Sequence, residues 1–152
     1  MAKTFDITFD KFIYDGEFDE MPSYKGVYLF RLTERKEGKL YPTIIYIGVA
    51  EGEKGLAGRV NDSHNKLEDA RKLVKKEQDK GKDVVLTISY TSKKEEYDSY
   101  WNRIEAALIF GRQPQLNDEY TKNFGFPKTT INISGARRYD LKKQYVIEAE
   151  DK

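Results

Sequence analysis

Four side chains far apart in this sequence have the chemistry to hold a phosphate diester and a divalent cation: Tyr28, Tyr46, Arg59 and Glu105. Glu105 is the most informative. Tyr97, Trp101, Ile104 and Leu108 repeat at helical spacing, and Glu105 falls between Trp101 and Ile109, inside that apolar arc or at its margin. A carboxylate in such a place is costly unless it is paired, protonated or bound to a cation. One partner for it is an arginine at the core edge. The other is a hard ion such as Mg²⁺, which accepts one carboxylate and completes its shell with water and phosphate oxygen. Arg59 brings a planar fork that binds phosphate in a bidentate manner and keeps its charge, or it simply pairs Glu105. Tyr28 and Tyr46 each belong to a β-rich run with a glycine two residues away, Gly26-Val27-Tyr28 and Tyr46-Ile47-Gly48. Tyrosines in strands are ordinary packing groups, but a strand glycine lets a ligand or another backbone approach closely. A phenol beside an arginine and a metal-bound water is expected to have a lowered pKa and to relay a proton.

The elements that must position these groups are legible in outline. Thr4–Tyr14 places Phe5, Ile7 and Phe9 on one parity and reads as an edge strand. Gly26–Thr33 and Thr43–Val49 read as an antiparallel pair. Ile44, Ile45 and Ile47 fall on both parities, which predicts a central strand covered on both faces. Leu56, Val60, Leu67, Ala70 and Val74 mark the buried side of a helix before Gly81, with Asn61-Asp62-Ser63 able to interrupt or re-cap it. Asp83–Tyr90 reads as a third strand. Ser92-Lys93-Lys94-Glu95 resembles a capping box opening a helix through Phe110, stopped by Gly111 and Pro114. Thr129–Ile133 reads as a strand, and Asp140–Ala149 is ambiguous. The order β–β–α–β–α predicts an α+β domain, a small central antiparallel sheet flanked by helices. Its core spans residues 25–118, with 1–24 and 119–152 as extensions of a single domain over 1–152.

Composition narrows the class. The 152 residues suffice for one core, and no apolar run approaches the roughly 18 residues of a membrane span. There is no signal-like N-terminus and no cysteine, which excludes disulfides and thiolate metal sites and leads us to expect a cytoplasmic protein without membrane contact. The net charge of +1 is neutral on nucleic acid, but charge is segregated. Acids crowd the N-terminal arm, and bases gather at Lys66–Lys82 and at Arg137, Arg138, Lys142 and Lys143, which permits a basic face or an ordinary solvated helix and tail.

Gly26-Val27-Tyr28, Tyr46-Ile47-Gly48, Arg59, Glu105 and Asn117 in this order, with Pro114-Gln115-Leu116 before the asparagine, resemble the GIY-YIG nuclease superfamily. Its members include the nuclease domain of UvrC-type excision-repair proteins and certain homing and restriction endonucleases. The resemblance implies a metal-dependent DNA endonuclease. Tyr28 would be the general base, with Tyr46 aiding it. Arg59 would bind the scissile phosphate, Glu105 would hold a single Mg²⁺ or Mn²⁺, and Asn117 would orient Glu105 or the phosphate. Two positions depart from the pattern. Val49 stands where many members carry a polar residue. Ser63 stands one turn after the arginine, where many carry His or Tyr, with His64, the only histidine, one residue beyond; His64 is a catalytic candidate if the helix breaks there. These departures keep a second expectation, a catalytically weak or inactive module of the same fold that binds nucleic acid or a protein. DNA is the expected partner, and a homodimer or a recruiting protein would supply specificity or double-strand cutting.

Overall fold

A computed structural model describes residues 1–61, 65–137 and 139–149. Six strands, β1 (Lys3–Tyr14), β2 (Gly26–Lys36), β3 (Lys39–Ala50), β4 (Val84–Thr91), β5 (Thr129–Ser134) and β6 (Gln144–Ile147), form one curled sheet in the order β3-β2-β4-β1-β5-β6. Three helices pack on it: α1 (Gly55–Asn61), α2 (Asn65–Asp79) and α3 (Trp101–Arg112). Among the described residues no helix is long and apolar enough to cross a membrane.

This overturns the expected small antiparallel sheet. The sheet is mixed, because β1 runs parallel to β5, and three of its six strands come from the stretches read as extensions. β1 lies inside the sheet instead of at its edge. Its first half pairs β5 (Phe5 opposite Ile131, Ile7 opposite Ile133), and its second half pairs β4 (Phe12 opposite Ser89). A bulge between Phe9 and Lys11 marks the change of partner, and such bulges add twist and bend to a sheet.

β3, expected at the centre, is an outer strand. Its two-sided apolarity comes from helices on both faces, not from strands on both edges. Ile44 and Ile47 pack toward α3, and Ile45 packs toward α1 and α2. Both strands run closer to the β2–β3 turn than the Gly26–Thr33 and Thr43–Val49 reading has them, and the connection left between them is tight. Lys36 pairs Lys39, and Glu37 and Gly38 both take positive φ (52° and 75°), the backbone of a type I′ hairpin turn.

Of the helix read before Gly81, α1 to Asn61 and α2 from Asn65 are described; Asp62, Ser63 and His64, and with them the interruption expected there, lie outside the described residues. Both ends of the next helix differ from expectation. The stretch expected to cap the next helix forms a single 3₁₀ turn, Glu95–Tyr97, and α3 starts only at Trp101. Nor does Gly111 stop α3. The helix runs to Arg112 and ends at Gln113 in the left-handed conformation, while Gly111 makes room for the Tyr145 ring.

The C-terminal segment is tied to the sheet by a buried charge cluster. Arg31 is fully buried on β2, donating to Ser89 Oγ at 2.7 Å and to Asp140 at 3.2 Å. Asp140 also receives Arg112 at 3.3 Å and the Ile44 backbone N–H at 2.5 Å. Burial pulls the Arg31 guanidinium below the usual arginine range, and Asp140 opposes that pull.

Candidate active site

The two glycines beside the tyrosines have steric reasons to be there. Tyr28 on β2 stands opposite Gly48 on β3, and its ring crosses the space a side chain would fill: a Cβ at Gly48 would lie 2.3 Å from the ring carbon Cζ. The ring thereby reaches Tyr46, with centroids 6.2 Å apart and the two hydroxyls hydrogen-bonded. At Gly26 a Cβ would fall 2.4 Å from Thr91 Oγ1, which accepts the Val27 N–H at 3.1 Å.

Arg59 is set by a helix docked end-on against the preceding loop. The N–H groups of Leu56 and Ala57 donate to the carbonyls of Tyr24 (2.9 Å) and Pro22 (2.8 Å). Gly55 at φ 58° allows this approach, since a Cβ there would lie 2.1 Å from the Ser23 carbonyl oxygen. Leu56 and Val60 are buried, which leaves Arg59 on the open side of α1. Glu105 sits on α3 and is only 9% exposed.

These groups meet because β3 is an outer strand. At its free edge the two faces of the sheet adjoin, so Tyr46 from the α1 side and Val49 from the α3 side line the same cleft of about 290 Å³. Arg59, Glu105 and Asn117 line it too. Tyr28 does not. It is fully buried behind Tyr46 and communicates with the cleft through the hydroxyl they share.

Asn117 lines the cleft and is hydrogen-bonded to β3. Its amide clasps the backbone of Ile47 at both ends, with Oδ1 accepting the N–H at 2.9 Å and Nδ2 donating to the carbonyl at 2.8 Å. With Leu116 N–H donating to the Ile45 carbonyl at 3.0 Å, the segment after α3 is laced to the outer edge of β3. Asn117 thus fixes the strand that carries Tyr46.

Among the described residues the Glu105 carboxyl has no hydrogen bond and no ion pair. Burial, then the charges of Glu119 and Glu51, push it up to about 8, and Arg59 only partly offsets them. The proposed alternative of an Arg59–Glu105 bridge is therefore not realised. The phenols also move opposite to expectation. Burial drives Tyr28 far up, with Tyr46 adding to it, and burial followed by Glu105 raises Tyr46. Both are hydrogen-bond donors at neutral pH.

No group of three Asp, Glu, His or Cys side chains converges on one point among the described residues. A single buried carboxylate without a protein partner still fits a hard cation whose remaining positions are water and phosphate oxygen. No family model, curated protein or solved structure matches the chain. The likeness to GIY-YIG nucleases therefore rests on the motif residues and where they sit.

Sequence reasoning missed several cleft residues. Asn102 lies three residues before Glu105, one turn away on the same face, a spacing that could have flagged it. Lys66 was one member of a basic run, yet its Nζ donates to the Leu116 carbonyl at 2.7 Å and to Asp118 at 2.8 Å inside the cleft. Glu51 and Glu119 act on Glu105 from two loops, and nothing in the sequence marks them.

Proposed function

We propose that this chain is a metal-dependent DNA endonuclease of the GIY-YIG type that hydrolyses phosphodiester bonds. The observation that carries the reading is the convergence on one cleft of Tyr46, Arg59 and a buried Glu105 that has no hydrogen bond or ion pair among the described residues. The Arg59 fork binds the scissile phosphate and balances the charge that grows on it. Lys66 adds a second positive group at the cleft wall. Tyr46, protonated at neutral pH, orients the attacking water by hydrogen bonding, and Tyr28 fixes the direction of the Tyr46 hydroxyl. Glu105 holds Mg²⁺ or Mn²⁺, which supplies Lewis acidity and leaving-group stabilisation when bound. DNA is the partner. One such site cuts one strand per engagement, so double-strand cutting requires a homodimer, a recruiting protein or two successive events. The absence of cysteine accords with a cytoplasmic setting.

Nicking of supercoiled plasmid during a Mg²⁺ or Mn²⁺ titration tests the proposal. Wild type should nick, and Arg59→Ala and Glu105→Ala should each lose about 100-fold or more. A second reading, binding without cutting, draws on Val49 in the cleft wall and on the burial of Tyr28. It predicts salt-sensitive DNA binding with no nicking at any metal concentration.

A further inference from the structure

The face of the sheet that carries α3 is covered only in part. Beyond the buried Arg31, the outer ends of β1–β4 carry no helix, and a groove opens there between the β2–β3 hairpin and the segment after β5. Three of the most exposed large apolar side chains of the protein gather on it: Tyr14 (47% exposed), Leu40 (53%) and Tyr139 (42%). Scattered apolar residues mean little, but a contiguous patch of rings marks a contact surface.

The chemistry of the lining selects an occupant. Arg137 stacks its guanidinium 4.2 Å above the Phe12 ring and hydrogen-bonds the Tyr139 hydroxyl. Its Nε–H is buried with no partner among the described residues, a donor that an incoming acceptor would satisfy. Arg35, paired with Asp83 at 3.1 Å, stands at the other end of the groove, and among the described residues no carboxylate lines the groove itself. The hydroxyls of Thr33 and Thr87, 3.2 Å apart, form part of the floor. A second copy docking by two-fold symmetry would bring two more arginines to the groove, and among the described residues only Arg35, through Asp83 at 3.1 Å, has an acid to answer it. A single-stranded nucleic acid supplies what is missing: flat faces for the rings, carbonyl or phosphate oxygens for the guanidiniums, and no backbone that must enter the sheet. The enclosed space is about 40 Å³, enough for one water but not for a base, so stacking takes place on the exposed parts of the Tyr14 and Tyr139 rings at the mouth. The Tyr139 ring is already flanked by the Arg31 and Arg137 guanidiniums at 5.2 and 5.8 Å.

We propose that this groove binds an unpaired base of single-stranded nucleic acid, stacked on Tyr14 and Tyr139 and held by Arg137. The site is separate from the Glu105 cleft and does not depend on cleavage there.

The test is anisotropy of a fluorescein-labelled twelve-nucleotide oligo-dT in EDTA, where no metal-dependent cutting occurs. Tyr14→Ala and Tyr139→Ala should each weaken binding roughly 5- to 150-fold, while Val146→Ala, at an exposed apolar residue of β6 outside both the groove and the cleft, leaves it within about 2-fold. Amide chemical-shift mapping on the wild-type protein removes any dependence on the variants folding, and shifts should centre on Tyr14, Leu40 and Tyr139. Absence of binding overturns the proposal. So do shifts confined to the Tyr46–Glu105 cleft, or tyrosine variants that alter self-association in sedimentation while oligo-dT affinity stays unchanged.

Discussion

Replacing Glu105 by glutamine should make the metal-free protein more stable. In the fold this carboxyl is pushed from its ordinary 4.5 up to about 8. Ionising it there therefore costs on the order of 5 kcal/mol more than in the unfolded chain. Folded Glu105 holds its proton more tightly than unfolded Glu105, so the penalty is absent below pH 4.5, where both states are protonated. It grows as pH rises and is complete above about pH 8. A buried glutamine amide without partners gives back about 1–3 kcal/mol. The net gain at pH 8 is then roughly 2–4 kcal/mol, or about 4–16 °C in Tm for a chain of this size. Thermal unfolding in EDTA between pH 4.5 and pH 9 measures it directly. At the acid end, where only the amide cost remains, Glu105→Gln should be the less stable protein by about 1–3 kcal/mol, and the curves should cross so that the variant is the more stable toward pH 8. Adding Mg²⁺ should then raise the wild-type Tm and leave the variant unmoved, because only a ligand that favours the folded state shifts the transition. A variant less stable than wild type at pH 8 in EDTA would refute the claim that this carboxylate is buried without a partner.

Gly48→Ala should cost about 1–3 kcal/mol in urea unfolding, because its Cβ meets the Tyr28 ring; the cost should shrink in a Tyr28→Leu background, and an equal cost in both would place the strain elsewhere. Asn117→Ala should lose about 1–3 kcal/mol by releasing both hydrogen bonds to Ile47, with a matching rise in amide exchange at Ile47. Asp140→Ala takes away the carboxylate beside the buried Arg31 and should cost about 3–5 kcal/mol, and adding Arg31→Met should recover part of it in the same unfolding assay.

The site was more legible than the frame around it. Glu105 announced itself because an acid on the apolar arc of a helix violates helical periodicity, and Leu56 and Val60 placed Arg59 by the same rule. Periodicity reports which faces are covered, not which edges are paired. Ile44, Ile45 and Ile47 looked central because both their faces are covered, although β3 is outermost. Phe5, Ile7 and Phe9 looked peripheral because an N-terminal strand with one apolar parity gives no sign that two partners, at residues 84–91 and 129–134, will flank it. The phenols were misjudged for a related reason. The expected convergence sets Tyr28 near Arg59, but desolvation depends on the whole fold and here outweighs that charge.

The partner change in β1 has a consequence for how the chain acquires its shape. The hairpin of β2 and β3 can close locally, whereas the strand made first waits for the segment near residue 130 before its second side is occupied. Contacts so distant along the polymer delay folding because their loop-closure entropy must be met first. A nascent chain that has not yet delivered β5 would carry Phe5 and Ile7 on an open hydrogen-bonding rim, the kind of template that recruits strands from other molecules.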